Sequence, residues 1–294
     1  MRVEDVRRAL VVATGKNSAW ISVDGEPLPR IAQLRRMRGK RSMPVPGDVV
    51  DVQILEDGAV VERVYPRGFT LERRTAGGRS KTMAANVDML VTVTALANPS
   101  PRLAVLDQLL AFAELERVGA VVVFTKPDLG DSAELRRLTE TYAALGYPTI
   151  VTNPKRGENV EALRALIRTH RAMLVGNSGV GKSSIFRALG GEGAVGEVSR
   201  YGVGRQTTTA ARLYRLGSGF LIDSPGVNEF GLGRVAAPEL TAAFREMREP
   251  AAGCRFADCT HLREPDCGVL AAVAEGRIAE SRYASYEKIL TQPV

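Results

Sequence analysis

The segment from Gly176 to Ser183 is the part of the sequence best suited to chemistry. It reads Gly-Asn-Ser-Gly-Val-Gly-Lys-Ser and fits the pattern G-x-x-x-x-G-K-[ST], whose backbone N–H groups close around phosphate oxygens. Lys182 would contact the β- and γ-phosphates, and Ser183 would bind Mg²⁺. Average residue usage gives roughly 0.01 chance matches in such a chain. The pattern therefore predicts a nucleoside triphosphate site rather than a ligand-free glycine turn. The predicted phosphate-binding residues are Gly176, Asn177, Ser178, Gly179, Val180, Gly181, Lys182, Ser183 and Ser184.

A second phosphate-sensing motif follows, Asp223-Ser224-Pro225-Gly226, at the end of an apolar run. Asp223 could hold Mg²⁺ through a water molecule, and the amide of Gly226 could bond the γ-phosphate. The pattern D-x-x-G is common by itself. It gains weight because it lies downstream of the phosphate loop and at the end of a predicted strand.

Between these motifs lies the polar segment 202–209, Gly-Val-Gly-Arg-Gln-Thr-Thr-Thr. One of its three threonines could supply a further Mg²⁺ ligand from a loop that orders with the γ-phosphate. The sequence leaves the choice among them open, and Thr208 is our candidate. Gln206 is the candidate for orienting the attacking water, since the side chain of Val227 cannot form hydrogen bonds. A plain surface loop, with the catalytic group supplied by a partner, is the alternative.

A candidate base-reading motif, Thr125-Lys126-Pro127-Asp128, follows an apolar run over 120–124. The carboxylate of Asp128 can accept both the N1–H and the N2 amine of guanine, whereas adenine offers no such donor pair. The triplet K-x-D is frequent by chance, so its position after a strand matters. The motif precedes the phosphate loop by about fifty residues, the reverse of the order in ordinary GTPases. A parallel α/β sheet tolerates that order if the chain is circularly permuted.

The three cysteines of the chain and one of its two histidines lie within fourteen residues. Three thiolates and one imidazole match a closed tetrahedral zinc site with no position left for a substrate, so the metal should be structural. Unrelated buried cysteines beside a surface histidine are the alternative. The predicted ligands are Cys254, Cys259, His261 and Cys267.

The positive charge is concentrated in one stretch. The chain has 294 residues, with 40 basic and 33 acidic residues and a formal net charge of +7. Between Pro27 and Gly47 there is no acidic residue, and this stretch holds six basic ones: Arg30, Arg35, Arg36, Arg38, Lys40 and Arg41. A nucleic-acid phosphate backbone is the matching partner, and a solvated loop without a partner is the alternative.

Composition and periodicity outline the parts that must position these motifs. A hydrophobic content of 45% excludes a wholly disordered or fibrous chain. No apolar window is long enough to span a membrane, and the first residues lack the apolar core of a signal peptide, so we expect a cytoplasmic protein. Short apolar runs and turn signals over 1–66 predict a small β-barrel, with the basic stretch as a long loop. From about Asp88 strands alternate with helices, which predicts a parallel α/β sheet, and after Pro238 the pattern is helical.

With these motifs assembled, the chain resembles the RsgA (YjeQ) family of circularly permuted ribosome-assembly GTPases. The resemblance rests on 84–88, 125–128, 176–184, 204–209, 223–227 and 254–267. It implies a multidomain fold: an RNA-binding OB-fold barrel over 1–66, a circularly permuted P-loop GTPase domain of α/β type over 67–235, and a helical zinc-binding domain over 236–294. It also implies a monomer that binds GTP and GDP with Mg²⁺, one structural Zn²⁺, and hydrolysis stimulated by the small ribosomal subunit during its late maturation. The basic stretch would then contact ribosomal RNA.

Three departures from the family pattern are visible. Thr125 stands where the family usually has Asn, Gln206 stands where it usually has His, and residues 152–154 match the usual Ser-Ala-Lys-like segment poorly. Two other functions stay open at this point. One is a non-catalytic, zinc-stapled RNA-binding assembly factor that uses GTP only as a conformational latch. The other is an ATP-dependent transferase, against which Asp128 argues.

Overall fold

The computed structural model describes residues 5–26, 28–34, 43–56, 58–74, 80–190, 211–223 and 235–292, and the structural statements below concern these residues. Several predicted residues lie outside the described ranges: Arg35, Arg36, Arg38, Lys40, Arg41, Gln206, Thr208 and Gly226.

The N-terminal strands form a closed barrel in the order β1-β2-β3-β5-β4. Neighbouring strands are antiparallel except β3 and β5, which are parallel. Each strand turns alternate apolar side chains, such as Val11, Ile21 and Val52, into one small core. The predicted barrel is confirmed. The strands are β1 Val6–Thr14, β2 Ser18–Val23, β3 Arg30–Leu34, β4 Val49–Leu55 and β5 Gly58–Val64.

The expectation that the whole basic stretch is a loop is wrong at its start. Arg30–Leu34 is strand β3, which pairs with β2 on one side and with β5 on the other. Ala32 is fully buried, while Arg30 and Ile31 are exposed. Closing the barrel requires a strand between β2 and β5, and this long-range pairing decides the structure of a segment whose charge suggested a loop.

A two-stranded hairpin, β6 Thr70–Arg74 and β7 Ser80–Ala85, follows the barrel and was not predicted. The last residue of β7, Ala85, lies against Gly47. Gly47 has a φ of +94°, and an added Cβ there would come within 1.9 Å of the carbonyl oxygen of Ala85. Asn86 donates to the carbonyl of Gly47 at 2.9 Å. Only glycine permits this approach between the barrel and the hairpin.

The predicted α/β sheet is confirmed, with the strand order β10-β9-β8-β11-β13-β12 among the described residues. β8, β9 and β10 are parallel, β13 is parallel to β11, and β12 is antiparallel to β13. β9 is buried from Ala120 onward, as its continuous apolar run predicts. The strands are β8 Met89–Ala95, β9 Gly119–Thr125, β10 Thr149–Thr152, β11 Arg171–Val175, β12 Arg212–Leu216 and β13 Gly219–Asp223. The helices are α1 Leu103–Leu115, α2 Ser132–Ala144, α3 Val160–Ile167 and α4 Lys182–Ala188.

The C-terminal part is helical, as predicted, and packs around Phe244, Met247, Val269 and Tyr286. A 3₁₀ turn over Arg245–Met247 interrupts this helical part. The helices are α5 Ala237–Ala243, α6 Arg248–Ala251, α7 Gly268–Ala274 and α8 Glu280–Thr291.

By its internal contacts the chain divides into two compact units. The first comprises Met1–Asp88, Arg164–Met173 and Leu189–Val227, and it contains the barrel and strands β12 and β13. The second comprises Met89–Leu163, Leu174–Ala188 and Asn228–Val294, and it contains the phosphate loop, the base-reading motif and the cysteines. The domain bounds 1–66, 67–235 and 236–294 stay a prediction. None of the helices in the described ranges has the length and apolar character needed to cross a bilayer.

Candidate nucleotide site and metal centre

The phosphate loop connects β11 to α4, as its motif requires. In the first turn of α4, the N–H groups of Ser184 and Ile185 both donate to the carbonyl of Gly181 at 3.0 Å. Gly176 has a φ of +138°, and an added Cβ would come within 2.2 Å of the carbonyl oxygen of Val93 on β8. A glycine is therefore required where the loop leaves the sheet. Ser178, Gly179 and Ser183 are exposed, so they can be reached by a ligand.

Lys182 is the first residue of α4, and its side chain contacts the phosphate loop. Its Nζ donates to the carbonyl oxygens of Gly176 and Asn177, both at 2.7 Å. Burial lowers the pKa of Lys182 from its usual value. The half-buried ammonium is thus held against loop carbonyls, a position from which it can bind phosphate oxygens placed in the loop.

The base-reading motif meets the phosphate loop through two side chains. Thr125, at the end of β9 and 1% exposed, donates its hydroxyl to the carbonyl of Val180 at 2.6 Å. Lys126, with a left-handed φ of +55°, donates to the carbonyl of Gly179 at 2.8 Å and to that of Asn98. These bonds join segments 55 and 53 residues apart in the chain. Thr125 therefore contacts the phosphate loop in spite of its departure from the usual Asn.

Asp128 lies in the 3₁₀ turn Pro127–Leu129 and is exposed. Its Oδ1 accepts a hydrogen bond from the side-chain amide of Asn153 at 3.1 Å. Residues 152–154 match the usual family segment poorly, so that motif does not point to Asn153. A signal was available, because Asn153 directly follows β10, the parallel neighbour of β9. The carboxyl ends of parallel neighbours meet at one edge of a sheet.

The remaining predicted residues are placed only in part. Asp223 is the last residue of β13, as predicted. Gly226, Gln206 and Thr208 are outside the described ranges, so their roles stay predictions.

The four predicted metal ligands converge. Their ligand atoms all lie within 4.8 Å of one another. Cys254 Sγ is 3.8 Å from Cys267 Sγ, and His261 Nδ1 is 3.5 Å from Cys254 Sγ and 3.4 Å from Cys267 Sγ. A tetrahedral zinc with Zn–S of about 2.3 Å and Zn–N of about 2.0–2.1 Å requires edges of about 3.8 Å between sulfurs and about 3.5 Å between sulfur and nitrogen. The Cys₃His cluster therefore has the spacing to hold one zinc ion.

Short hydrogen-bonded links hold this Cys₃His cluster in place. Cys267 caps helix α7 and accepts from the N–H of Leu270 at 3.5 Å. Glu264 accepts from the hydroxyl of Thr260 and from nearby backbone N–H groups, and these bonds lower the pKa of Glu264 to about 2. Tyr283 on α8 donates to the carbonyl of His261 at 2.8 Å.

The environment of Cys259 also fits a metal ligand. Burial raises the pKa of the Cys259 thiol to about 12. A thiolate is unfavourable at such a site unless a cation compensates it, and a bound metal would supply that charge.

Comparison with known proteins agrees with this geometry. The family model described as RsgA GTPase matches residues 64–233. The chain belongs to the RsgA GTPase family. It is therefore a GTP hydrolase, and the expected family, fold and enzyme class are confirmed.

The relatives cover most of the chain. It is 39% identical over 287 residues to the small ribosomal subunit biogenesis GTPase RsgA of Pseudomonas aeruginosa strain LESB58, covering 94% of this chain and 84% of that protein. It is also 39% identical over 280 residues to the protein of the same name from Azotobacter vinelandii, covering 92% and 81%.

Two solved structures share the fold. YjeQ from Thermotoga maritima has a TM-score of 0.81 and 31% identity, over 98% of this chain and 100% of that one. YloQ, a circularly permuted GTPase, has a TM-score of 0.79 and 24% identity, over 98% and 97%. The permuted motif order predicted from the sequence thus has a counterpart in solved structures.

Proposed function

We propose that this RsgA-family GTPase acts in the late maturation of the small ribosomal subunit and that the subunit stimulates its GTP hydrolysis. The names of the full-length relatives support the process. The observation that carries the nucleotide assignment is the pair of bonds from Thr125 and Lys126 to the phosphate loop. They support a single site in which the Asp128 carboxylate would read guanine and the loop would bind the triphosphate.

In this proposal the residues of the chain divide the chemistry as follows. Lys182 and the loop amides bind the β- and γ-phosphates, and Ser183 and Asp223 hold Mg²⁺ with GTP. Gln206 orients the attacking water, and Thr208 supplies a further Mg²⁺ ligand from a loop that orders with the γ-phosphate. The Cys₃His cluster holds one structural Zn²⁺, since its four protein ligands leave no position for a reacting group.

The barrel is proposed to contact ribosomal RNA. Besides the basic stretch, it carries Arg8 and Arg63 against one aromatic ring, with guanidinium carbons 4.7 Å and 4.9 Å from the centroid of Tyr65. Exposed arginines beside an aromatic ring suit phosphate and base contacts. We further propose that the protein is a monomer in the cytoplasm, where it would meet its RNA partner.

The test is the rate of nucleotide hydrolysis by the full chain with purified small subunits, with large subunits, or alone. We expect GTP hydrolysis to rise at least about tenfold with small subunits only, because one properly placed group contributes at least this much. The parent protein should hydrolyse ATP no faster than the Lys182→Ala variant does. Equal rates with the two subunits, or no stimulation by either, would refute the proposed partner.

A further inference from the structure

A polar cavity lies within the first compact unit, where the barrel meets the start of β11 and the hairpin of β12 and β13. Its volume is about 330 Å³, which suits a ligand the size of one nucleotide. Three guanidinium groups line it, those of Arg8 on β1, Arg171 on β11 and Arg215 on β12. Ser218, exposed in the turn between β12 and β13, lines it as well. The phosphate loop and the Cys₃His cluster belong to the second unit, so this cavity is a different site.

Each of the three arginines is held in place by a neutral acceptor. The acceptors are the hydroxyl of Tyr65 for Arg8 at 3.0 Å, the carbonyl of Asn86 for Arg171 at 3.4 Å, and the hydroxyl of Ser22 for Arg215 at 2.9 Å. Within the described ranges, none of the three arginines forms an ion pair with a carboxylate. A guanidinium group carries five N–H donors, so one such bond fixes its position and leaves donors for a ligand.

Two carboxylates also line the cavity, but they do not neutralise it. Oδ1 of Asp88 accepts from the backbone N–H of Arg171 at 2.9 Å and lies 3.2 Å from Nδ1 of His170. Asp88 therefore holds the backbone at the start of β11 rather than a guanidinium group. Asp24 is exposed at the end of the barrel strand β2. Because three cations face two carboxylates, the lining keeps a positive charge and favours an anion.

We infer that this cavity is a second anion site, which binds a phosphate monoester of the size of a nucleoside monophosphate. Guanidinium groups suit phosphate because their planar donors match its oxygens. A monoester carries a charge of about −1.5 to −2 at pH 7, whereas a phosphodiester in a nucleic-acid strand carries one charge. The carboxylate of Asp24 would accept hydrogen bonds from the sugar hydroxyls. The inference does not depend on the proposed guanine site.

The experiment measures binding of adenosine monophosphate to the full chain while GDP and Mg²⁺ saturate the phosphate loop. Adenosine monophosphate should bind the parent protein with a Kd below about 1 mM, and adenosine, which lacks the phosphate, should not bind measurably. Ser218→Glu should weaken the binding at least about tenfold, because it adds a negative charge beside the phosphate. Ser218→Gln is the matched control, since it adds a side chain of the same size without the charge, and its effect should stay within about threefold.

A second pair of variants tests the arginines. Arg215→Gln should lower the affinity for adenosine monophosphate about 10- to 100-fold, the range for losing hydrogen bonds to a charged group. Arg168→Gln removes the same charge from an exposed position in the same unit that does not line the cavity, and should change the affinity less than about twofold. GTP affinity should stay near that of the parent in all four variants, since none of them alters the proposed nucleotide site.

The inference is overturned if the parent protein does not bind adenosine monophosphate, or if each variant and its matched control lose the same affinity. A uridine tetranucleotide serves as the phosphodiester probe. If Ser218→Glu weakens this RNA but not adenosine monophosphate, the cavity belongs to an RNA-binding surface and its assignment to a monoester is wrong. A tenfold loss confined to adenosine monophosphate supports the assignment.

Discussion

The Cys₃His cluster and the base-reading end of the proposed nucleotide site are built in opposite ways. All four cluster ligands come from one segment, 254–267, and their spacing follows from that local chain. The base-reading end draws on Thr125, Asp128, Asn153 and Val180, which belong to three separated segments. Its contacts depend on the sheet, which places the ends of β9, β10 and β11 in their final positions.

Because of this difference, the function of some residues can be recognised from the sequence, whereas the function of others depends on the fold. A cysteine near a histidine suggests a ligand wherever the fold places it, because few other functions need soft ligands at that spacing. A threonine or an asparagine suits many tasks. Thr125 and Asn153 acquire their tasks only when distant backbone or a distant carboxylate arrives beside them.

The largest effect is expected at the metal cluster. Cys259→Ala should abolish stoichiometric zinc and loosen residues 254–267, because metal binding supplies folding free energy on the order of 10–16 kcal/mol in small zinc modules. GTP affinity should stay near that of the parent, because no ligand of the cluster belongs to the nucleotide site. Elemental analysis, protease sensitivity and GTP titration check these three outcomes.

The control for this cluster variant is Arg255→Ala. It removes an exposed ion pair to Asp266 within the same segment and should keep the zinc. Freshly purified parent protein without stoichiometric metal would contradict the assignment, as would a Cys259→Ala variant that keeps it.

A second prediction concerns a long-range contact in the same unit. Arg282 on α8 is 2% exposed and pairs with Asp107 on α1 at 2.5 Å and with Glu246 at 2.6 Å. Burial alone would lower the pKa of Arg282, but the two carboxylates raise it above its usual value. Arg282→Met should lower the free energy of unfolding by about 3–5 kcal/mol, because it leaves two buried carboxylates without their cation.

Urea unfolding of the full chain measures this loss. Arg277→Met is the matched control, since Arg277 pairs with Glu275 where both side chains are more than half exposed. Its effect should stay below about 1 kcal/mol. Equal changes in the two variants would show that the buried position of Arg282 does not matter, and the contrast between local and long-range contacts would lose its energetic basis.

The same contrast explains which parts of the fold the sequence predicts. Strand β9 follows from its own apolar run, and helix α2 begins where Asp131 caps it by accepting from the N–H of Ala133 at 2.8 Å. Both signals are local. Strand β3 was not predicted because it is stabilised by pairing with β2 and with β5, which comes later in the sequence. The β6–β7 hairpin was not predicted because the sequence of β6 is short and charged.

The candidate site divides along the same line. The phosphate loop and the predicted metal ligands are recognised from contiguous motifs. The structure places the loop between β11 and α4 and brings the four Cys₃His side chains together. Asn153 was passed over because its match to a family segment was weak, although its value lies in a side-chain bond that no motif records. Thr125 departs from the usual Asn, and the structure shows that its hydroxyl bonds the phosphate loop.

The smallest effect, and the finest test of the contrast, is expected at Thr125. Thr125→Val keeps the shape of the side chain but removes the hydroxyl that donates to the carbonyl of Val180. A buried carbonyl left without its partner costs about 1–3 kcal/mol. Part of that cost falls on the free protein, so we expect GTP affinity to fall about 3- to 10-fold. Thr125→Asn, which offers an amide donor, should recover most of the loss.

Thr139→Val is the control for this variant. It removes a comparable hydroxyl bond, to the carbonyl of Leu135 within helix α2, and should leave GTP affinity unchanged. If Thr125→Val binds GTP within twofold of the parent, the hydroxyl bond of Thr125 does not position the nucleotide. The contact between the base-reading motif and the phosphate loop would then rest on Lys126.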